Sequence, residues 1–294
     1  MRVLVTDADS GFAQALLPAL CDWPGIEGVT GVALRPPHVA HKSLRAVQAD
    51  YRDPAAFSVL AGHDALLHLG PGGSSDVPGS DTLDAAVRPV HKFFHAAHDA
   101  GVARLIHLST AAVYGHAIHA SEQSPLKPLP GFRYAAEQAH LEQLLAIDFP
   151  ACVRLRPHLV VGPHAHPTVR TFLRQPFYPR ADEPQPLFQC VHEDDLVSAV
   201  LLCLESDARG AYNIATEDSF SLREAIRARH WVSCGLGPSG ARRAIGIANR
   251  FLEPDIDPVW LERATHTLLV NCRRAIIELD WRRRHTALEA LAAT

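Results

Sequence analysis

What this chain has little of narrows its class first. Six cysteines (Cys21, Cys152, Cys190, Cys203, Cys234 and Cys272) are scattered with no Cys-x-x-Cys spacing. Most of them sit in apolar segments, so buried reduced thiols are expected rather than a disulfide framework or a thiolate zinc centre. An excess of one charge is missing too: 28 Lys and Arg against 32 Asp and Glu leave a net charge of -4. That balance supplies no basic field to recruit nucleic acid or an anionic membrane. Long apolar runs are absent, and stretches such as 199–204 fall far short of the roughly 20 residues a membrane helix needs. Met1-Arg2-Val3-Leu4-Val5 meets Asp7 and Asp9 at once, which the apolar stretch of a secretory signal does not tolerate. The expectation is a cytoplasmic protein with neither a nucleic-acid nor a membrane partner.

Histidine, by contrast, is plentiful at 18 residues, with close pairs at His116/His119 and His164/His166. Both pairs lie in Pro- and Gly-rich stretches without an acidic or thiol partner at ligand spacing. Zinc sites converge three or four ligands, so no metal is expected.

With 47% hydrophobic residues, 294 residues suffice for one large core, or for a core with a smaller lobe attached. Over the first 160 residues, short β-branched runs alternate with helical patterns. Strands are predicted at 3–5, 29–34, 46–48, 65–69, 105–108 and 152–155, and helices at 12–21, 55–60, 82–100 and 134–145. That alternation argues for βαβ units in a parallel sheet, and strands apolar on both faces agree, because helices cover such a sheet on both sides. After Gly162-Pro163 the texture changes, and the prolines between 163 and 187 predict irregular structure over a lobe. Asp194-Asp195 precede a helical run at 196–204, with an acid placed to cap it. Ser221 and Glu224 predict a capping box. A mobile loop is expected at 235–246. The fold class is therefore α/β, a Rossmann-like doubly wound parallel sheet with a smaller C-terminal substrate-binding lobe. Residues 1–162 form the dinucleotide-binding domain, 188–214 return to it, and 163–187 with 215–294 make the lobe.

The strand-turn-helix Val5-Thr6-Asp7-Ala8-Asp9-Ser10-Gly11-Phe12-Ala13-Gln14 sits where a Rossmann phosphate loop belongs. Such loops use glycines so that backbone N–H groups can approach a pyrophosphate. Here Gly11 survives, Asp7 takes one glycine position, and Gln14 or Ala13 takes another according to register. Asp7 and Asp9 would repel a pyrophosphate unless they point away. Downstream, His107-Leu108-Ser109-Thr110-Ala111-Ala112-Val113-Tyr114-Gly115, then Glu122, Pro125, Pro128 and Tyr134, then Arg154-Leu155-Arg156-Pro157 and Gly162-Pro163 follow in order. Phe188 to Leu196, Gly210 to Ile214 and Leu279-Asp280-Trp281 complete the series. Across nearly the whole chain, this series resembles the extended short-chain dehydrogenases/reductases, in their NAD-dependent epimerase/dehydratase-like branch.

The resemblance implies that a Ser/Thr hydroxyl binds the substrate oxygen, that a tyrosine acts as general acid/base, and that a lysine four residues later lowers the tyrosine pKa. Carried over by position, the hydroxyl is Thr110, the tyrosine is Tyr134, and the lysine position holds Gln138. An unaided phenol has a pKa of about 10. A cation one turn away would stabilise the phenolate, whereas a neutral glutamine offers only a hydrogen bond. Arg133 and His140 are nearby bases that do not share the i, i+4 face of Tyr134. The asparagine usual in the middle helix is replaced by Ala86. For the cofactor, the resemblance assigns Asp7, Ser10, Gly11 and Phe12 to the phosphate loop, Asp50 and Tyr51 to the adenine, Gly70 to close backbone approach, and Tyr134 with Gln138 to the nicotinamide ribose. Leu34 stands where an acid would bind an NAD ribose, and Arg35 follows, which suits a 2′-phosphate and so NADP over NAD. Leu159 replaces an asparagine common in nucleotide-sugar enzymes, pointing to a smaller or less polar substrate.

Three functions stay open at this level. One is an NAD(P)-dependent oxidoreductase or epimerase-like enzyme acting on a carbonyl or hydroxyl of a small substrate. The other is a degenerate module that senses NADP or a metabolite without turnover, which Gln138, Asp7 and the depleted loop favour. A third has the chain bind no dinucleotide and serve as a structural partner. The family habit implies a homodimer through the helices around 82–100 and 134–145.

Overall fold

The computed structural model describes residues 1–70, 82–179, 184–230, 233–237, 239–240, 243 and 265–294. Its strands are β1 (Arg2–Thr6), β2 (Gly28–Ala33), β3 (Leu44–Gln48), β4 (Ala65–His68), β5 (Arg104–Leu108), β6 (Ala117–Ala120), β7 (Val153–Pro157), β8 (Leu159–Val161), β9 (Phe177–Pro179), β10 (Leu187–Phe188), β11 (Cys190–His192), β12 (Gly210–Ile214), β13 (Phe220–Ser221), β14 (Cys234–Leu236) and β15 (Leu268–Val270). The helices are α1 (Gly11–Asp22), α2 (Leu83–Asp99), α3 (Arg133–Asp148), α4 (Pro167–Arg174), α5 (Glu193–Glu205), α6 (Leu222–Arg229), α7 (Arg273–Glu278) and α8 (Ala287–Ala292).

Seven strands form one sheet in the order β12-β7-β5-β4-β1-β2-β3, and every pairing in it is parallel. The doubly wound Rossmann-like sheet follows from the strand chemistry. Because side chains alternate across the pleat, Val3 and Val5 enter one core with α1 and α5, while Leu4 enters the other with α2 and α3. Phe93 and Phe94 of α2 are fully buried in the second core, each contributing on the order of 1.5–3 kcal/mol. Leu279 and Trp281 pack into the first core, where the Trp281 indole N–H donates to the Asp195 carbonyl at 2.9 Å.

Several boundaries depart from the expected ones for identifiable reasons. Residues 54–60 close as a 3-10 helix behind the Asp53 cap rather than as an α-helix. The stretch 163–187, expected to be irregular, contains α4 and short strands. Pro167 occupies the first position of α4, where a missing N–H costs nothing. Helix α5 starts at Glu193, and the cap is His192, whose ring accepts from the Asp194 N–H, so the acids fill the first turn instead. There they complement the helix dipole. The Ser221/Glu224 capping box is formed. Of the loop expected at 235–246, half lies outside the described residues. A separate core joins Val161, Leu173, Phe188, Phe220 and Leu291, packing β8, α4, β10, β13 and α8 together. Among the described residues, no helix is long and apolar enough to cross a membrane.

Candidate active site

At the carboxyl ends of the strands a cleft opens between α1 and the segment after β8. Ser10, Gly11 and Phe12 line one side. Gly70, Ser109, Thr110 and Tyr134 line the floor, and Pro157, His158, Leu159, His164, His166 and Val169 close it. Ligands of open α/β sheets bind at this edge, where helix N-termini point outward. Ser10 caps α1 by accepting from the Ala13 N–H at 3.3 Å.

The structure thus gathers Ser10, Gly11, Phe12, Gly70, Thr110 and Tyr134 around one space. Thr110 lies two residues past the end of β5 and caps the 3-10 turn Ala111–Tyr114, accepting from the Ala112 N–H at 3.2 Å. That bond occupies an oxygen lone pair and leaves the hydroxyl proton to donate elsewhere. Tyr134, in the first turn of α3, is half-buried beside Phe132.

The remaining expected residues lie outside the lining. Asp7 adopts φ 51°, the left-handed conformation of the glycine it replaces. Its Oδ2 is shut off from solvent with no hydrogen-bond partner. Burial raises its pKa to about 6 against hydrogen bonds from Thr6 and Tyr51, so the carboxyl turns inward rather than toward a pyrophosphate. Tyr51 is buried against His68 and Phe93, and burial pushes its phenol well above the usual value. Partial burial works against ionised Asp50, but hydrogen bonds from Arg52 at 2.8 and 2.9 Å prevail and hold its pKa below the ordinary value. Arg35 is 83% exposed and pairs with Asp9 at 3.1 Å.

Gln138 is buried, and its Oε1 lies 2.8 Å from His107 Nε2. His107 stacks on His68 with ring centroids 5.3 Å apart. Burial drives His107 down to about 4 and His68 well below the usual imidazole value, so both rings are neutral. Gly70, at φ 72°, faces the Gln138 amide nitrogen: a Cβ there would meet it at 3.4 Å.

Beneath Thr110 a buried ionic network fixes the floor. Ser109 donates to Glu142 Oε1 at 2.5 Å, and Arg156 donates to Glu142 and to the Tyr114 hydroxyl at 2.6 Å. The Tyr114 hydroxyl donates to Asn213 Oδ1 at 2.8 Å. The ends of β5, α3, β7 and β12 are thereby tied to one another.

His164 was notable in the sequence only as half of a histidine pair. Its ring and its backbone N–H both engage Glu193, at 2.8 and 2.9 Å. A Cβ on Gly11 would lie 2.4 Å from the His164 carbonyl oxygen. The backbone of 164 therefore crosses the N-terminus of α1. No sequence signal announces this, since Glu193 lies 29 residues away.

Residues 10–215 match the model of the NAD dependent epimerase/dehydratase family. The chain belongs to that family. Among solved structures it is similar to MoeE5 in complex with UDP-glucuronic acid and NAD, at TM-score 0.78 and 23% identity over 100% of this chain and 97% of that one. It is also similar to the dTDP-glucose 4,6-dehydratase DesIV from Streptomyces venezuelae with NAD and TYD bound, at 0.75 and 22% over 99% and 95%. A third is the UDP-glucose 4-epimerase from Thermotoga maritima with UDP-glucose, at 0.75 and 18% over 100% and 97%. At these identities the likeness establishes the fold. No curated protein matches the sequence.

Proposed function

We propose that the protein is an NAD(P)-dependent oxidoreductase or epimerase-like enzyme acting on a carbonyl or hydroxyl of a small substrate that is not a nucleotide sugar. The observation that carries this reading is the convergence of the α1 N-terminus, Gly70, Thr110 and Tyr134 on one cleft. The residues fit a dinucleotide at the nicotinamide end. Gly70 lines the cleft there with no side chain to fill it, and Gln138 lies beside it. When bound, the cofactor supplies hydride transfer.

The chain's own residues then orient the substrate and move a proton. The Thr110 hydroxyl donates to the substrate oxygen. Tyr134 is assigned the proton donor's role, because the neutral Gln138 brings no charge from the family's lysine position to favour a phenolate. Protonating an oxygen suits reduction of a carbonyl better than oxidation of an alcohol. Leu159 and Val169 give the wall an apolar character, which favours a compact substrate without a diphosphate. Arg35, exposed beyond β2, favours NADP once it exchanges Asp9 for a 2′-phosphate. A soluble cytoplasmic setting accompanies this reading. A homodimer through α2 and α3 is also proposed, supported by exposed Leu83 and Ile147 on those helices. A monomer mass by light scattering would remove the dimer.

A second reading is a degenerate module that binds NADP or a metabolite without turnover. It is favoured by the His164 carbonyl against Gly11, since that segment lies over the N-terminus of α1, where a phosphate would sit. Calorimetric titration with NADPH and NADH, followed by a carbonyl-substrate screen of wild type and Tyr134→Phe, tests both. Binding with turnover that Tyr134→Phe abolishes supports the enzyme; binding without any turnover supports the module. Binding of neither dinucleotide removes the enzyme and leaves the module only its metabolite.

A further inference from the structure

We propose that the outer faces of α2 and α3 carry a binding site for a divalent transition-metal ion, zinc being the best chemical match. His91 and His95 are one helical turn apart on α2, a spacing that puts both rings on the same face. Asp148, the last residue of α3, meets them there. Its Oδ2 lies 2.8 Å from His91 Nε2 and 3.2 Å from His95 Nε2. The three potential ligand atoms lie within 4.8 Å of one another. Zinc bonds of about 2.0–2.2 Å to nitrogen and oxygen place tetrahedral ligands roughly 3.3 Å apart, and the two nitrogen–carboxylate separations of 2.8 and 3.2 Å lie near that value.

The direction of the His91 ring is the second observation. Its Nε2 is shut off from solvent and has no hydrogen-bond partner, although it is the nearer of the two nitrogens to the carboxylate. His91 Nε2 thus has a lone pair or proton that no protein atom engages, while His95 Nε2 hydrogen-bonds the same carboxylate oxygen at 3.2 Å, a bond that an ion would replace. Phe149 holds the rings in place, its centroid lying 6.5 Å from that of His91 and 4.8 Å from that of His95. The side chains of His95 and Asp148 are 48% and 34% exposed, so water can supply a fourth ligand. Two imidazoles and one carboxylate are borderline donors that suit zinc, nickel or copper better than magnesium or calcium. An ion here ties the end of α3, the helix that carries Tyr134 and Gln138, to α2.

The test uses the full chain, stripped with chelator and titrated with Zn²⁺ alone by calorimetry, together with His95→Gln and Asp148→Asn. Both substitutions sit at part-exposed positions, and metal-free thermal midpoints equal to that of wild type confirm that the variants fold. His285→Gln serves as a control for the other cluster, His192, Asp194 and His285. The expected result is one equivalent bound by wild type and by His285→Gln, with at least tenfold weaker binding in both His95→Gln and Asp148→Asn. A zinc-induced rise in thermal midpoint is expected in wild type and is lost in those two variants. No binding by wild type, undiminished binding in His95→Gln and Asp148→Asn, or loss in His285→Gln instead, overturns the proposal.

Discussion

His107 Nε2 donates to Gln138 Oε1 across 2.8 Å, so the residue at the family's lysine position is held by a neutral imidazole beneath the cleft. The amide oxygen can only accept, which requires the proton on Nε2 of His107. The amide nitrogen is left on the side of Gly70. His107→Leu would strand the Gln138 oxygen in the core, at a cost of about 1–3 kcal/mol. Gln138→Lys would bring a cation into the same buried space and would also lower stability, by a similar or larger amount. Urea denaturation of both variants checks this. Wild-type stability in each would mean that the His107–Gln138 bond is not formed in solution.

Asp7 and His107 titrate in opposite senses. Burial raises Asp7 from 3.8 to about 6, so its contribution to stability is present at low pH and is lost as pH rises through about 6. Burial lowers His107 to about 4 and His68 well below 6.5. Their contributions are present above pH 6.5 and are lost as pH falls below it. Between pH 4 and 6 Asp7 and His107 offset each other, and His68 leaves a net loss of stability on acidification. Asp7→Asn removes the offset while keeping a residue that tolerates positive φ. Stability at pH 7 should rise by on the order of 2–3 kcal/mol, and the acid slope should steepen relative to wild type. Urea midpoints at pH 5 and 7 read both effects; unchanged values would place the Asp7 carboxyl in water.

Much of the sheet was legible because its physics is local. Val3-Leu4-Val5 and the Ser221/Glu224 box each declare themselves within a few residues. The hydroxyl pair was legible in the same way, since Thr110 follows a strand and Tyr134 opens a helix at recognisable positions. What was not legible depends on approach between distant segments. The inward turn of Asp7 depends on Tyr51, the placement of His164 on Glu193, and the His91/His95 pair on Asp148 at the far end of another helix. His192 displaced the expected acidic cap because α5 begins earlier than its apolar run suggests.

The buried carboxylate of Glu142 carries the floor of the cleft. It accepts from Ser109 and from Arg156, whose guanidinium is itself buried. Removing one partner leaves the other as an uncompensated buried charge, at a cost of about 3–5 kcal/mol. Glu142→Ala should therefore lower the urea midpoint strongly. A loss below 1 kcal/mol would show that water reaches Arg156 and that the network is not a scaffold for Thr110.

The contact between His164 and Gly11 predicts opposite effects for two substitutions. Gly11→Ala drives a methyl group into the His164 carbonyl, 2.4 Å away, and overpacking of this kind costs about 1–3 kcal/mol. Glu193→Gln weakens the hold on the His164 ring and N–H, because a neutral amide is a poorer acceptor than a carboxylate. With that hold loosened, the segment can leave the N-terminus of α1 and free the space a phosphate would take there. NADPH affinity by calorimetry should then rise several-fold in Glu193→Gln, while Gly11→Ala lowers the thermal midpoint. If Glu193→Gln binds NADPH no better than wild type, the His164 carbonyl is not the obstacle. The altered glycine loop, with Asp7 in place of glycine, would then be what limits the dinucleotide.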